Sequence, residues 1–151
     1  MSQTSIDSNK ELIQEYFDAW EANDPTHLTE LFTDDFTYTY EDQDGSTITV
    51  AKDGTGDVDF RKWFAGYAEN LPDKKIKIHE MVAEEDRVIA RITAKGTYAG
   101  EFLGIEASGT EIEMEEDLTF RLDDGQISEL TFLGDYLGVL QQLDVELPID
   151  G

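Results

Sequence analysis

Cysteine is absent, which excludes disulfides, thiol catalysis and thiolate metal sites. Histidine is scarce: His27 and His79 are the only two and lie far apart, so a metal would have to rest on carboxylates alone, and no metal is expected. No GxGxxG, P-loop or nucleophile elbow occurs, and no cofactor is expected. No window approaches the roughly 18 apolar residues of a membrane span. The polar opening "MSQTSIDSNK" does not read as a signal peptide, so the expected location is cytoplasmic. Bases are the last shortage. Eleven Lys and Arg face 35 Asp and Glu, a net charge of −24 spread from Asp7 to Asp150. A field of that sign repels nucleic acids and anionic membranes, and neither is expected as a partner. It also repels itself unless counterions intervene. At molar salt the screening length falls to roughly 3 Å, and the composition reads as adaptation to a salt-rich cytoplasm, the alternative being an acidic mesophilic protein.

What is present suits one domain. The 151 residues are 39% apolar and 11% aromatic, enough for an aromatic core. Residues 1–7 lack periodicity and read as a disordered start, followed by a domain over 8–147 and a short tail, 148–151. "SNKE" has capping-box spacing from Ser8 to Glu11, ahead of an amphipathic helix carrying Leu12, Ile13, Tyr16, Phe17 and Trp20. A second helix follows, with Asp24 as cap and Pro25 in its first turn; Leu28, Leu31 and Phe32 face inward. Phe36, Tyr38 and Tyr40 alternate as a strand, as do Ile48 and Val50 beyond a turn at Asp44-Gly45. Asp57 is placed to cap a helix carrying Phe60, Trp63, Phe64 and Tyr67, which ends at Pro72. Four strands then run over about 75–84, 87–99, 110–122 and 126–133, joined by tight turns, before a short helix from Tyr136 to about Asp144. The order implies an α+β fold: a curved, mixed or antiparallel sheet wrapped as a cone-shaped barrel around the N-terminal helices, enclosing a cavity.

Period-two counting assigns the strand faces. Ile112, Met114, Leu118, Phe120 and Leu122 point inward, and Glu116 shares their phase. A carboxylate there is held out of water, which raises its pKa and marks it as a functional candidate; the bland alternative is a bulge or a structural partner. Tyr38 and Tyr40 are inward as well, either as aromatic core or as hydroxyl donors to a ligand carbonyl. On the opposite face Arg91 and Lys95 can pair with Glu113, Glu115 and Asp117. Met81, Ile89, Ile127 and Leu133 add apolar area there, so this face is either solvated or a homodimer contact. Asp135, between Leu133 and Tyr136, reads first as a helix cap.

Residues 79–145 resemble the SnoaL-like polyketide cyclase family of the nuclear-transport-factor-2-like superfamily, through "AEEDRV", "GTYAGEFLG", "FRLDDGQI" and "DYLGVLQQL". "NKELIQEYFDAWEANDPTHLTELFTDDF" fits the family's opening helices, and only residues 41–60 lack a counterpart. The resemblance implies a cone-shaped fold whose cavity binds a small hydrophobic molecule. It also implies cofactor-free acid–base ring closure of a polyketide ester. The family's acid/base aspartate falls at Phe132, a pocket histidine at Leu118, and the histidine of the "GTHxG" segment at Tyr98. These departures leave two readings. In one, an enzyme uses Glu116 as general base with Tyr38, Tyr40 or Tyr98 as hydroxyl donors. In the other, a binding module holds its ligand against Trp63, Leu118 and Phe132, with Asp135 at most orienting it.

Overall fold

The computed structural model describes residues 3–41, 45–52, 56–99 and 108–143. Helix α1, Gln3–Glu21, presents Ile13, Tyr16, Phe17 and Trp20 as a buried stripe at helical spacing. It is already running at Gln3, so the "SNKE" capping-box spacing lies inside the helix and does not mark its start. Helix α2, Pro25–Glu30, is capped as its sequence predicts: the Asp24 carboxylate accepts from the His27 N–H at 3.1 Å. Strands β1, Phe32–Glu41, and β2, Thr47–Ala51, pair antiparallel. Gly45 has φ 83, as the expected turn needs, while Asp44 lies outside the described residues.

Helix α3, Phe60–Asn70, corrects one cap. Asp59 accepts from the backbone N–H groups of Arg61 and Lys62, whereas Asp57 accepts from Thr49 N at 2.9 Å. Asp57 thereby tethers a two-residue strand, β3, Val58–Asp59, to β2. The last four strands follow their predicted spans closely: β4, Lys75–Glu84; β5, Arg87–Thr97; β6, Glu111–Asp123; and β7, Gln126–Gly134. Asp124 and Gly125 turn the β6–β7 hairpin at φ 49 and 82. Helix α4, Tyr136–Gln142, ends the described chain.

The seven strands form one sheet in the order β3-β2-β1-β7-β6-β5-β4. Pairings β1–β7 and β2–β3 are parallel and the rest antiparallel. The sheet is mixed and stays open, with β3 and β4 as its edges rather than a closed barrel. α1 packs over β4 and β5, and α3 over β2 and β3, yet the two helices meet. Trp20 lies 5.6 Å from Trp63 and 4.6 Å from Phe64 between ring centres. The sheet therefore curls around one aromatic core, and Tyr16 sits edge-on to Phe120 of β6 at 5.1 Å.

Two bulges correct the outer-face reading. The β4–β5 register shifts between Ile78 and Glu80, and the β6–β7 register shifts between Arg121 and Leu122. Each extra residue, His79 or Ser128, reverses the phase beyond it. Met81 consequently packs against the core and Ile127 is fully buried. Val82, Ile89 and Leu133 remain outside, at 52%, 51% and 72% exposure.

Candidate functional site

Between the helices and the concave sheet lies a cavity of about 60 Å³. The walls are mostly apolar. Tyr16, Phe17 and Trp20 come from α1, and Trp63, Tyr67 and Asn70 from α3. Tyr38 comes from β1, Met114, Glu116 and Leu118 from β6, and Phe132 from β7; Lys74 lies just before β4.

Of the residues predicted from sequence, Glu116, Tyr38, Trp63, Leu118 and Phe132 line this space together. Tyr40 does not; its ring packs against Tyr38 and Trp63, 5.7 and 6.3 Å away. Tyr98 is fully buried in a separate cluster with Ile112, Met114 and Val139. Asp135 is exposed and does not line the cavity; its carboxylate accepts from Gly138 N at 2.8 Å and caps α4. The bland reading of Asp135 accounts for its position.

Glu116 sits opposite Ile92 on one side and Gly134 on the other. The Phe132 ring lies back over Gly134: a Cβ added there would meet the Phe132 Cζ at 2.6 Å. The small residue thus makes room for a large apolar ring beside the carboxyl. Glu116 makes no hydrogen bond or ion pair among the described residues. Burial pushes its carboxyl up to about 8. Tyr16, Tyr38 and Tyr67 are held well above the usual phenol range, first by burial and in part by the nearby Glu116 charge. Three protonated hydroxyls therefore share the cavity with the carboxyl. Tyr67 is also hydrogen-bonded to Tyr136. The Trp20 indole N–H is buried beside the Tyr16 hydroxyl without a hydrogen bond of normal geometry.

Sequence reasoning missed Tyr16, Tyr67 and Lys74. The tyrosines sit in apolar helical stripes where core and cavity wall look alike. Lys74 opens the run "KKIK" and looks like a solvated strand start, yet only 4% of it is exposed. Its Nζ donates to Asn23 Oδ1 and lies over the rings of Trp20 and Phe64, 5.3 and 5.5 Å from their centres. Burial lowers its pKa to about 8, and the Glu21 charge partly offsets this. No group of three His, Asp or Glu among the described residues is arranged to hold a metal ion. No described helix is long and apolar enough to cross a membrane.

An open mixed sheet curled around helices and an internal cavity is an α+β cone, and comparison with known proteins specifies its family. Residues 10–143 match the SnoaL-like polyketide cyclase family, and the chain belongs to it. Among solved structures it is similar to AclR of Streptomyces galilaeus, a candidate hydroxylase, at 25% identity and TM-score 0.79, covering 95% of this chain and 99% of that one. It is also similar to IdmH of Streptomyces antibioticus, a candidate polyketide cyclase, at 26% identity and TM-score 0.71, covering 90% and 98%. A SnoaL-like candidate cyclase from Jannaschia shares the fold at TM-score 0.75, with 20% identity over 94% and 95%. No curated protein matches the chain.

Proposed function

We propose that the cavity binds a small, largely apolar carbonyl compound and that Glu116 transfers a proton in a cofactor-free cyclisation or isomerisation. The observation that carries this reading is the uncompensated Glu116 carboxyl in an apolar wall, with tyrosine hydroxyls in range of its charge. As a carboxylate, Glu116 would take the proton from the carbon next to the carbonyl, and the electron pair would move onto the carbonyl oxygen. Tyr16 or Tyr38, still protonated, would donate to that enolate oxygen. In a cyclisation the enolate carbon then attacks a second carbonyl of the same molecule, and Glu116 returns its proton to the new alkoxide. The resemblance supports the reaction class. Phe132 and Leu118 at the family's acid/base and histidine positions move the proton-transfer role to Glu116.

The test is solvent-deuterium exchange at the α-carbon of small ketones and β-keto esters, followed by NMR. Wild type should catalyse it, with a rate rising toward a plateau above about pH 8, and Glu116→Gln should lose about 100-fold or more. Equal rates in the two proteins would remove Glu116 from the chemistry. The same two apolar substitutions, Leu118 and Phe132, favour a second reading, a non-catalytic carrier. It would show tight ligand binding with no exchange.

We also read the outer sheet face as a homodimer contact, because Val82, Ile89 and Leu133 expose a patch beside the Arg91–Asp117 pair. Light scattering should give a dimer for wild type and a monomer for Ile89→Lys. The acidic surface suits a salt-rich cytoplasm.

A further inference from the structure

The mechanism proposed above leaves one charged group in the cavity wall unused. Lys74 is buried, in a chain with only eleven Lys and Arg, and an ammonium ion removed from water is costly unless its donors are engaged. The structure engages them incompletely. One donor goes to Asn23, and two aromatic rings face the charge. No carboxylate lies within ion-pair distance among the described residues; Glu21, whose charge acts on Lys74, accepts instead from the Ile76 N–H at 2.6 Å. Asn70, another polar residue of the cavity wall, makes no side-chain hydrogen bond among the described residues either. The cavity wall thus holds a cation and an amide with unspent hydrogen-bonding capacity, the cation set among aromatic rings.

Glu116 lies elsewhere on the same wall. The strand before which Lys74 stands, β4, is two strands from β6, and Ile78, four residues after Lys74, is level with Ile92 and Glu116. Strand spacing and rise put the two Cα atoms roughly 16 Å apart. Burial alone raises the Glu116 carboxyl, with no cation beside it. A ligand that meets both groups must therefore be elongated and carry oxygen at two separated points.

We propose that Lys74 is the anchor for a carboxylate, so that the ligand of this cavity is an apolar organic acid whose acid end rests on Lys74 and whose reacting carbonyl reaches Glu116. The acid end rests on the cavity being the ligand site; the placement of the carbonyl rests on the Glu116 reading as well. A carboxylate suits the site because it accepts from the ammonium and neutralises the buried charge, with the Asn70 amide a further donor in the same wall. The aromatic rings then cover the chain next to it. Neutral ketones would leave the ammonium without a counter-charge and bind more weakly.

The experiment compares 4-phenylbutyrate with 4-phenylbutan-1-ol, the same frame with and without the charge, by calorimetry at neutral pH in molar KCl, which screens the acidic surface. Wild type should bind the acid about tenfold or more tightly than the alcohol. Lys74→Met, which keeps the length and the contact with Trp20 and Phe64, should lose that preference while holding the alcohol within about twofold of wild type. Glu116→Gln should keep it. A wild-type measurement guards against misfolding of the variant: the Lys74 ¹³Cε resonance should shift with the acid and not with the alcohol. Equal affinity for the two probes with an unmoved Lys74 signal, or a preference that survives Lys74→Met, overturns the anchor and leaves the Glu116 reading intact. Failure of both probes to bind overturns the anchor and the cavity reading together.

Discussion

At Glu116 stability and the proposed chemistry make opposing demands. Its carboxyl is raised to about 8 by burial, so between the ordinary glutamate value and about pH 8 the folded state holds a proton that the unfolded state has lost. Stability therefore falls as pH rises through that window, and the full penalty is present above about pH 8. Glu116→Gln removes the titrating group. The variant should match wild type near pH 5 and exceed it at pH 8 by on the order of a few kcal/mol, read from urea unfolding at the two pH values. A difference independent of pH would mean that the carboxyl is not desolvated. Asp135 is the contrasting residue, whose carboxylate is spent on Gly138 N. Asp135→Ala should cost about 1 kcal/mol, or about 2–4 °C in melting temperature, with ligand binding kept within about twofold. Both residues were legible in the sequence because each breaks an apolar pattern. Lys74 was not, because nothing local to "KKIK" says that α1 will fold over it.

The strands show how far a periodic pattern can be carried. β6 follows period two from Ile112 to Leu122 without interruption, so its inward residues and Glu116 were assigned correctly. β7 does not, because the bulge at Ser128 turns Ile127 inward against the count from Leu133. The phase changes wherever the partner strand takes one residue fewer, a property of the pair rather than of either segment. β3 was missed for a related reason: two residues cannot display a period, and Val58–Asp59 is a strand only because Asp57 ties it to Thr49. α1 packs two of the cavity-lining rings, Tyr16 and Phe17, against Phe120 of the sheet. Phe120→Ala should cost about 3–5 kcal/mol of unfolding free energy in urea titrations, since it opens a hole under two rings that cannot collapse into it. Phe132→Leu, at the half-buried cavity wall, should cost clearly less and enlarge the ligand space, seen as tighter binding of bulkier probes.

For the molecule entire, the governing number is a net charge of −24. The ion pairs on the outer sheet, Arg91–Asp117 and Lys95–Glu111 among them, use several of the few bases but are solvent-exposed, so each contributes little. With 35 acids to 11 bases, most of the acids cannot be neutralised by a base, and they repel one another. Melting temperature should rise by several degrees between low-salt buffer and molar KCl, as the screening length contracts from tens of ångströms to roughly 3 Å. An unchanged value would show that the acids are too dispersed to strain the fold. The same experiment with Lys74→Met separates surface from interior. A buried ammonium is screened little, so its substitution should leave the slope with salt unaltered.

Composition and period, which are properties of the chain alone, decided that this is an acidic chain with an α+β fold. They also decided that its strands alternate inward and outward, and that Glu116 lies on the inward face. Those statements need only the geometry of a strand or helix and the cost of burying charge. Which tyrosines join Glu116, where β4 and β7 slip by a residue, and that Lys74 is enclosed were decided by contacts between segments far apart in the chain. β1 pairs with β7, and Trp20 of α1 meets Trp63 and Phe64 of α3. A cavity is the space that such packing leaves unfilled, and no single segment encodes it.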